Sequence, residues 1–361
     1  MATLACFMAV RKYLLTAAVW VLATLFWGPP ASAAIVAPCG VGAGSPVCHF
    51  WNGKVTFIGD GDTISVDLAG HKGERPVRVR ITGIQAMEEH VYTDNPADRT
   101  GECHANEATA RLEHLVKASK GKVRLAAQDQ YSRSGNRLRR QVSVRINGSW
   151  RDVGRTLLSE GHALALPNPV EWAWNASYSL LSQRAAAQRI GLWDPTYCGP
   201  GPEPFANLRL WVNSDAEGSD ESNPDGEFVR LKNMDPVNPV PIGNWWVRDS
   251  GLRRYTLPPT ATVPAGGEIT VYVGEGEDTA TEFFWGIRGG VFDNVTQNGH
   301  GGGDGAYLFD PEGDLRASMI YPCRYNCVDP LQTALQVSAH PRGSEYVTVT
   351  NVSASPVDLE G

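Results

Sequence analysis

Between Gly53 and Ile146, apolar and polar residues alternate in short runs separated by turn-forming clusters. Lys54–Ile58 and Thr63–Leu68 flank Gly59-Asp60-Gly61-Asp62, while Val77–Ile81, Val123–Ala126 and Gln141–Ile146 add three further runs. A period of two bounded by turn residues marks half-buried strands. On Val77–Ile81 it places Arg78 and Arg80 on one face. Five short strands of this kind predict a small barrel rather than a parallel sheet. Three segments switch to a helical period. Ala108, Leu112, Leu115 and Val116 recur at helical spacing with Gly121 just beyond. Val153, Leu157 and Leu158 form the second segment, which stops at Gly161. The third opens at Asn168-Pro169-Val170-Glu171, combining an N-cap, a proline at the first helical position and a glutamate placed for a capping box; it closes near Ile190-Gly191.

From Asn207 onward the helical period disappears. Gly226–Asn233, Asn244–Asp249, Glu268–Val273 and Ala306–Phe309 alternate, separated by Pro258-Pro259, Ala265-Gly266-Gly267 and the glycine-rich run from Gly299 to Gly305. That pattern predicts a β-sandwich, in which Trp245 and Trp246 supply core and edge packing. The tail repeats part of it: Ser344–Asn351 echoes Gly226–Asn233, and Pro356-Val357 echoes Pro239-Val240. A single hairpin buries no core of its own, so the tail reads as the start of a second repeat.

Charge separates the two halves. Ala34–Pro200 holds 20 Lys/Arg against 16 Asp/Glu, a net of +4, whereas Gly201–Gly361 holds 10 against 23, a net of −13. A basic half approaches polyanions and an acidic half repels them. Gly199-Pro200-Gly201-Pro202-Glu203-Pro204 between them is a stiff linker, predicting two halves that unfold separately. At the N-terminus, basic Arg11-Lys12 precedes the apolar Tyr13–Trp27 and the small-residue stretch Ala31-Ser32-Ala33. This reads as a secretory signal peptide rather than a membrane span, and no other apolar run of spanning length follows. The expected organisation is a signal peptide over 1–33, a first domain over 34–198, a linker over 199–206, a second domain over 207–323 and a partial repeat over 324–361. Export fits the cysteines: Cys39, Cys48, Cys103, Cys198, Cys323 and Cys327 remain after signal removal, an even set suited to disulfides with 15 formal connectivities. Cys39/Cys48 and Cys323/Cys327 close short loops, leaving Cys103 and Cys198 as partners by elimination. No CxxC pair points to zinc.

The candidate chemistry lies in the first half. Asp60-Gly61-Asp62-Thr63, Arg80-Ile81-Thr82-Gly83-Ile84-Gln85-Ala86-Met87-Glu88 and Arg137 bring together clustered acids, two arginines and a later glutamate. Metal-assisted phosphodiester hydrolysis needs such a set: acids to hold a cation, arginines to neutralise phosphate and a glutamate to activate water. The basic cluster Arg133, Arg137, Arg139, Arg140 and Arg145 favours a polyanion. Tyr131 is the nearest aromatic, which argues against sequence-specific base readout.

Over about Gly53 to Trp193 this arrangement resembles the staphylococcal-nuclease-like (thermonuclease) family. The resemblance rests on Asp-Gly-Asp-Thr, Arg-x-x-Gly-Ile and the closing Gly191-Leu192-Trp193. It implies a five-stranded oligonucleotide-binding-type barrel with three helices and calcium-assisted cleavage of nucleic acid. Carried over, Asp62 is a direct calcium ligand and Asp60 an outer-shell acid. Ala86 lends its backbone carbonyl, Glu88 is the general base, and Arg80 and Arg137 clamp phosphate. Three places depart from the family: Gln85 stands for a second ligand aspartate, Met87 for a proline, and Ser134-Gly135-Asn136-Arg137-Leu138-Arg139-Arg140 for the usual Tyr-Gly-Arg, which leaves Arg139 as an alternative to Arg137. An amide oxygen ligates calcium, but the lost carboxylate charge weakens the site. The second half resembles the lamin-tail domain, an immunoglobulin-like module, over about Asn207 to Tyr321, on Tyr255-Thr256-Leu257-Pro258, Pro264-Ala265-Gly266, Phe284-Trp285-Gly286 and Asp304-Gly305-Ala306. That fold does not specify an activity. The expectation is therefore an exported, calcium-assisted nuclease impaired at Gln85, with a cell-surface or protein partner for the lamin-tail domain. The alternatives are a catalytically inactive extracellular scaffold or adhesion protein, and a nucleic-acid-binding protein that does not cut.

Overall fold

The alternating runs close into a ring. In this computed structural model, β1 (Val47–Asp60), β2 (Thr63–Leu68), β3 (Val77–Ile81), β4 (Lys122–Ala127) and β5 (Arg137–Ile146) pair in the order β1-β2-β3-β5-β4, and β4 returns to β1. β3 and β5 run parallel with Arg80 opposite Arg139, and the other pairings of the ring are antiparallel. The structure describes residues 35–40, 45–70, 75–90, 101–201, 207–295, 302–325, 335–340 and 346–352. The signal-peptide reading lies outside them, as does Cys327. Among the described residues no helix is long and apolar enough to cross a membrane.

Ile64, Val66, Val79, Ile81, Leu125, Val142 and Val144 are buried inside the ring. Each such aliphatic side chain contributes about 1.5–3 kcal/mol. The opposite face of β3 and β5 is left to Arg78, Arg80, Arg137 and Arg139, because side chains alternate along a strand. Helix α1 (Ala105–Ala118) lays Leu112, Leu115 and Val116 on this core. Helix α2 (Val153–Ser159) is capped by Asp152, whose carboxylate accepts the Arg155 N–H at 3.0 Å and the Tyr178 hydroxyl at 2.7 Å. Helix α3 (Asn175–Ala187) begins later than its sequence signal. Asn168 accepts the Val170 and Glu171 N–H groups as a cap should. Glu171, however, accepts from Gln128 N–H (2.7 Å) and Asp129 N–H (3.2 Å) beyond β4 instead of completing the capping box. One 3-10 turn over Trp172–Trp174 intervenes.

The second half is an immunoglobulin-like sandwich. One sheet orders Leu208–Asn213, Phe228–Asn233, Glu268–Tyr272 and Glu282–Phe284; the other orders Arg254–Thr256, Trp246–Arg248, Gly305–Phe309 and Leu315–Ile320. Trp245 is buried with Val229, Leu231, Val247, Val271 and Leu308, while Trp246 stacks on Phe309 at 5.6 Å. In the tail, Leu335–His340 and Tyr346–Asn351 pair antiparallel, and the second of these strands is exposed throughout. Disulfides join Cys39 to Cys48 and Cys103 to Cys198, and Cys323 is also disulfide-bonded.

Separate unfolding of the halves, expected from the linker, conflicts with their packing. Met87, Ala105, Leu164, Ala185, Leu192 and Trp193 of the first half share one buried cluster with Tyr307, Phe309 and Leu315 of the second. A composition-based linker sets chain stiffness; it does not reveal whether the flanking surfaces are apolar.

Candidate active site

Two glycines let the site assemble. Gly61, in the β1–β2 turn, sits so close to the next loop and to α1 that an added Cβ would lie 2.7 Å from Ala86 Cβ and 2.8 Å from Ala108 Cβ. Gly83 has φ +79°, and a Cβ there would lie 2.6 Å from the Tyr178 ring. Glycine alone meets both demands. The Gly83 turn reverses the chain after β3, and Leu164 pairs with Gln85 on the returning strand.

These turns bring the sequence-predicted residues into one network. The Asp62 N–H donates to Asp60 Oδ1 at 2.9 Å. Asp62 Oδ2 accepts the Ala86 N–H at 2.9 Å and pairs with the Arg80 guanidinium, while its Oδ1 accepts the Thr63 hydroxyl at 3.1 Å. Arg137 Nη1 donates to Thr63 Oγ1 at 2.8 Å. Gln85 joins the remaining members: its Oε1 accepts from Arg80, and its Nε2 donates to the Ala86 carbonyl at 3.0 Å and to Glu88 Oε1 at 2.8 Å. The amide orientation follows from its partners, since guanidinium only donates and carbonyl only accepts.

Negative charge is in surplus. Burial pushes the Asp62 carboxyl up to about 6, against the pull of Arg80 and with help from Asp60. Burial likewise raises Glu88 to about 7, reinforced by Asp62 and Asp60 and opposed by Arg80 and the Gln85 hydrogen bond. A carboxylate poised near neutrality suits a general base.

The residues present fit a cation in charge and in donor type. Asp62 and the Ala86 carbonyl would hold it, with Asp60 outside, and hard oxygen donors suit calcium. Gln85 opposes this, because its N–H groups occupy the Ala86 carbonyl and Glu88. Among the described residues, carboxylate oxygens of three acids converge within 4.8 Å only at Asp310, Glu312 and Asp314. There Asp310 Oδ1 accepts the N–H groups of Glu312, Gly313 and Asp314, and Arg316 pairs with Asp310 and Asp314, so the cluster is a closed turn.

The expected basic cluster divides. Arg137 and Arg139 share the outer face with Arg80 and Arg78, whereas Arg140 points inward. Arg140 donates to the Gln130 and Arg139 carbonyls at 2.6 Å each and lies 4.6 Å over the Trp51 ring, and burial holds its guanidinium down to about 10. It is structural. Arg145 is exposed and donates to the Gly148 carbonyl. In the acidic loop from Asp215 to Asp225, Asp220 accepts from the Ala216 N–H within the loop at 3.2 Å and from Asn294 outside it at 3.1 Å. Sequence reasoning missed two residues, Glu102 and Arg248. Glu102 Oε2 accepts the Glu88 N–H at 2.8 Å, and Arg248 Nη1 lies 3.1 Å from Glu102 Oε1.

The chain is similar to a protein named Endonuclease Htp3 from Saprolegnia parasitica, at 27% identity over 157 residues, 39% of this chain and 69% of that protein. Residues 208–322 match the Lamin Tail Domain family, and the sandwich of the second half is that domain.

Proposed function

We propose that the barrel domain is a slow, calcium-assisted nuclease of an exported protein, hydrolysing phosphodiester bonds of DNA or RNA. The observation that supports it most is the placement of Glu88, raised to about 7, within one hydrogen-bonded network with Asp62 and Arg80, which Thr63 extends to Arg137. A relative named as an endonuclease supports the same reading. Glu88 takes a proton from water as the oxygen bonds to phosphorus; the bond from phosphorus to the leaving ester oxygen breaks, that oxygen takes a proton from solvent water, and Glu88 later releases its own proton to solvent. Arg80 and Arg137 donate to the phosphate oxygens as charge builds on them; comparable arginines in other phosphoryl-transfer enzymes are worth about 10³–10⁵-fold. Bound calcium would supply positive charge that holds the phosphate and offsets the surplus at Asp62. Gln85 slows this chemistry by withdrawing acceptors from the cation.

A second reading, nucleic-acid binding without cleavage, is favoured by that same amide. It leaves Arg78, Arg137 and Arg139 as a phosphate-facing surface. Plasmid incubated with the mature protein should be nicked in calcium and remain intact in chelator, and Glu88→Gln should abolish nicking. Salt-dependent retention of intact plasmid in both conditions would select the second reading. Neither nicking nor retention would leave the scaffold role, with which the lamin tail domain is compatible.

A further inference from the structure

We propose that the lamin tail domain sets the position of the barrel's base-bearing loop, with Arg248 as a positioning residue that acts on Glu88 through Glu102. The effect on cleavage rests on the nuclease reading above; the mechanical coupling does not.

Glu88 and Glu102 clamp each other twice. The Glu88 N–H donates to Glu102 Oε2 at 2.8 Å, and the Glu102 N–H donates to the Glu88 carbonyl at 2.8 Å. The first bond depends on how the Glu102 carboxylate is turned, and the lamin tail domain turns it. Arg248 Nη1 lies 3.1 Å from Oε1 and 3.4 Å from Oε2 of Glu102. The guanidinium is itself fixed, since its Nε donates to the Asp249 carbonyl at 3.3 Å and its Nη2 to the Gly251 carbonyl. Arg248 ends a strand paired on both sides, with Arg254 and with Tyr307. Its backbone is thus held within the sheet.

The residue before Glu88 is held by the same domain. Met87 is buried with Tyr307, Phe309 and Leu315, and its Sδ lies 4.0 Å from Arg248 Nη1. On the other side of the clamp, Cys103 is bonded to Cys198, whose N–H donates to Asp314 Oδ1 at 2.7 Å. Both ends of the clamp are thus fastened to the sandwich.

An ion pair this buried is a poor source of stability, because desolvation offsets its attraction and apolar residues do as well. What it supplies is orientation. It aims one carboxylate oxygen at the N–H of a single residue, and that residue carries the proposed base.

The test uses the full chain and two readouts. Arg248→Met keeps side-chain length and removes the donors, and Arg248→Lys restores one charged donor. Amide hydrogen exchange should be slow at Glu88 in the wild type. It should rise at least tenfold in Arg248→Met, with Val79 and Val142 unchanged, and recover in part in Arg248→Lys. Cleavage by Arg248→Met should show kcat lowered by about 10–100-fold at unchanged KM, as a misplacement of about 1 Å implies. If Arg248→Met does not fold, Glu102→Gln gives the same readouts from the other partner. Unchanged Glu88 exchange in a folded variant overturns the coupling. Faster exchange with undiminished kcat overturns the positioning role. A wild type that does not cut overturns the nuclease reading, and exchange alone then decides the coupling.

Discussion

Replacing Gln85 by aspartate tests the site most directly, because it swaps the residue that holds the network together for one that would hold a cation. The change deletes the donations to the Ala86 carbonyl (3.0 Å) and to Glu88 (2.8 Å). Lost hydrogen bonds of these neutral and charged kinds are worth about 1 and 1.5–3 kcal/mol. It also adds a carboxylate beside Asp62 and Glu88, which already stand at about 6 and about 7. A like charge at about 4 Å contributes on the order of 4 kcal/mol of repulsion at an effective dielectric of about 20. The Arg80 guanidinium, already facing position 85, offsets much of this. In chelator, Gln85→Asp should therefore be less stable than wild type by about 3–5 kcal/mol. In calcium the deficit shrinks, since the added charge attracts the ion. A hundredfold gain in affinity adds about 2.7 kcal/mol at saturation, or about 4 °C in Tm when a chain this long unfolds in one transition. Thermal unfolding in chelator and across a calcium titration reads both arms, and plasmid cleavage should rise in parallel. A variant as stable as wild type in chelator, with no calcium response, would refute the account of Gln85. Tighter calcium binding without faster cleavage would instead select the binding reading.

Two further outcomes follow from the packing and the charges. Met87→Ala should destabilise the whole chain by about 2–5 kcal/mol within a single calorimetric transition; a separate, unshifted transition for the lamin tail domain would show that the halves do not share a core. The Asp62 carboxyl stands at about 6 when folded against 3.8 ordinarily, so the folded state binds more protons across that window. The stability of wild type relative to Asp62→Asn should then fall by about 3 kcal/mol as pH rises from 4 to 6, and level off above. Urea melts that show this difference rising with pH would contradict the burial-driven shift, and calcium should stabilise wild type more at pH 7 than at pH 4.

The ring strands were legible because each alternating run ends in a turn whose residues announce it, Asp60-Gly61-Asp62 being the clearest. The late start of α3 was not, because Glu171 is claimed by Gln128 and Asp129, which approach only in the folded chain. Within Arg137-Leu138-Arg139-Arg140 the guanidinium that turns inward cannot be told apart until the parallel register with β3 is known. The proposed active-site residues were named from motif order, and they do converge. Their support was invisible. Glu102 and Arg248 are 146 positions apart, and neither lies in a pattern that marks it. The one trace was Met87 where the resembled family has proline: the loop there is held by packing against another domain.

That shared cluster has a consequence for how such a protein can change over generations. Barrel and sandwich look like interchangeable cassettes in the order of their motifs, yet Leu164, Leu192 and Trp193 on one and Tyr307 and Phe309 on the other bury a common surface. A recombination event that delivered a different sandwich would expose an apolar face beside the candidate site and leave Glu102 without its cation. The two halves are therefore a matched pair, and a substitution on either side of the seam meets the residues packed across it.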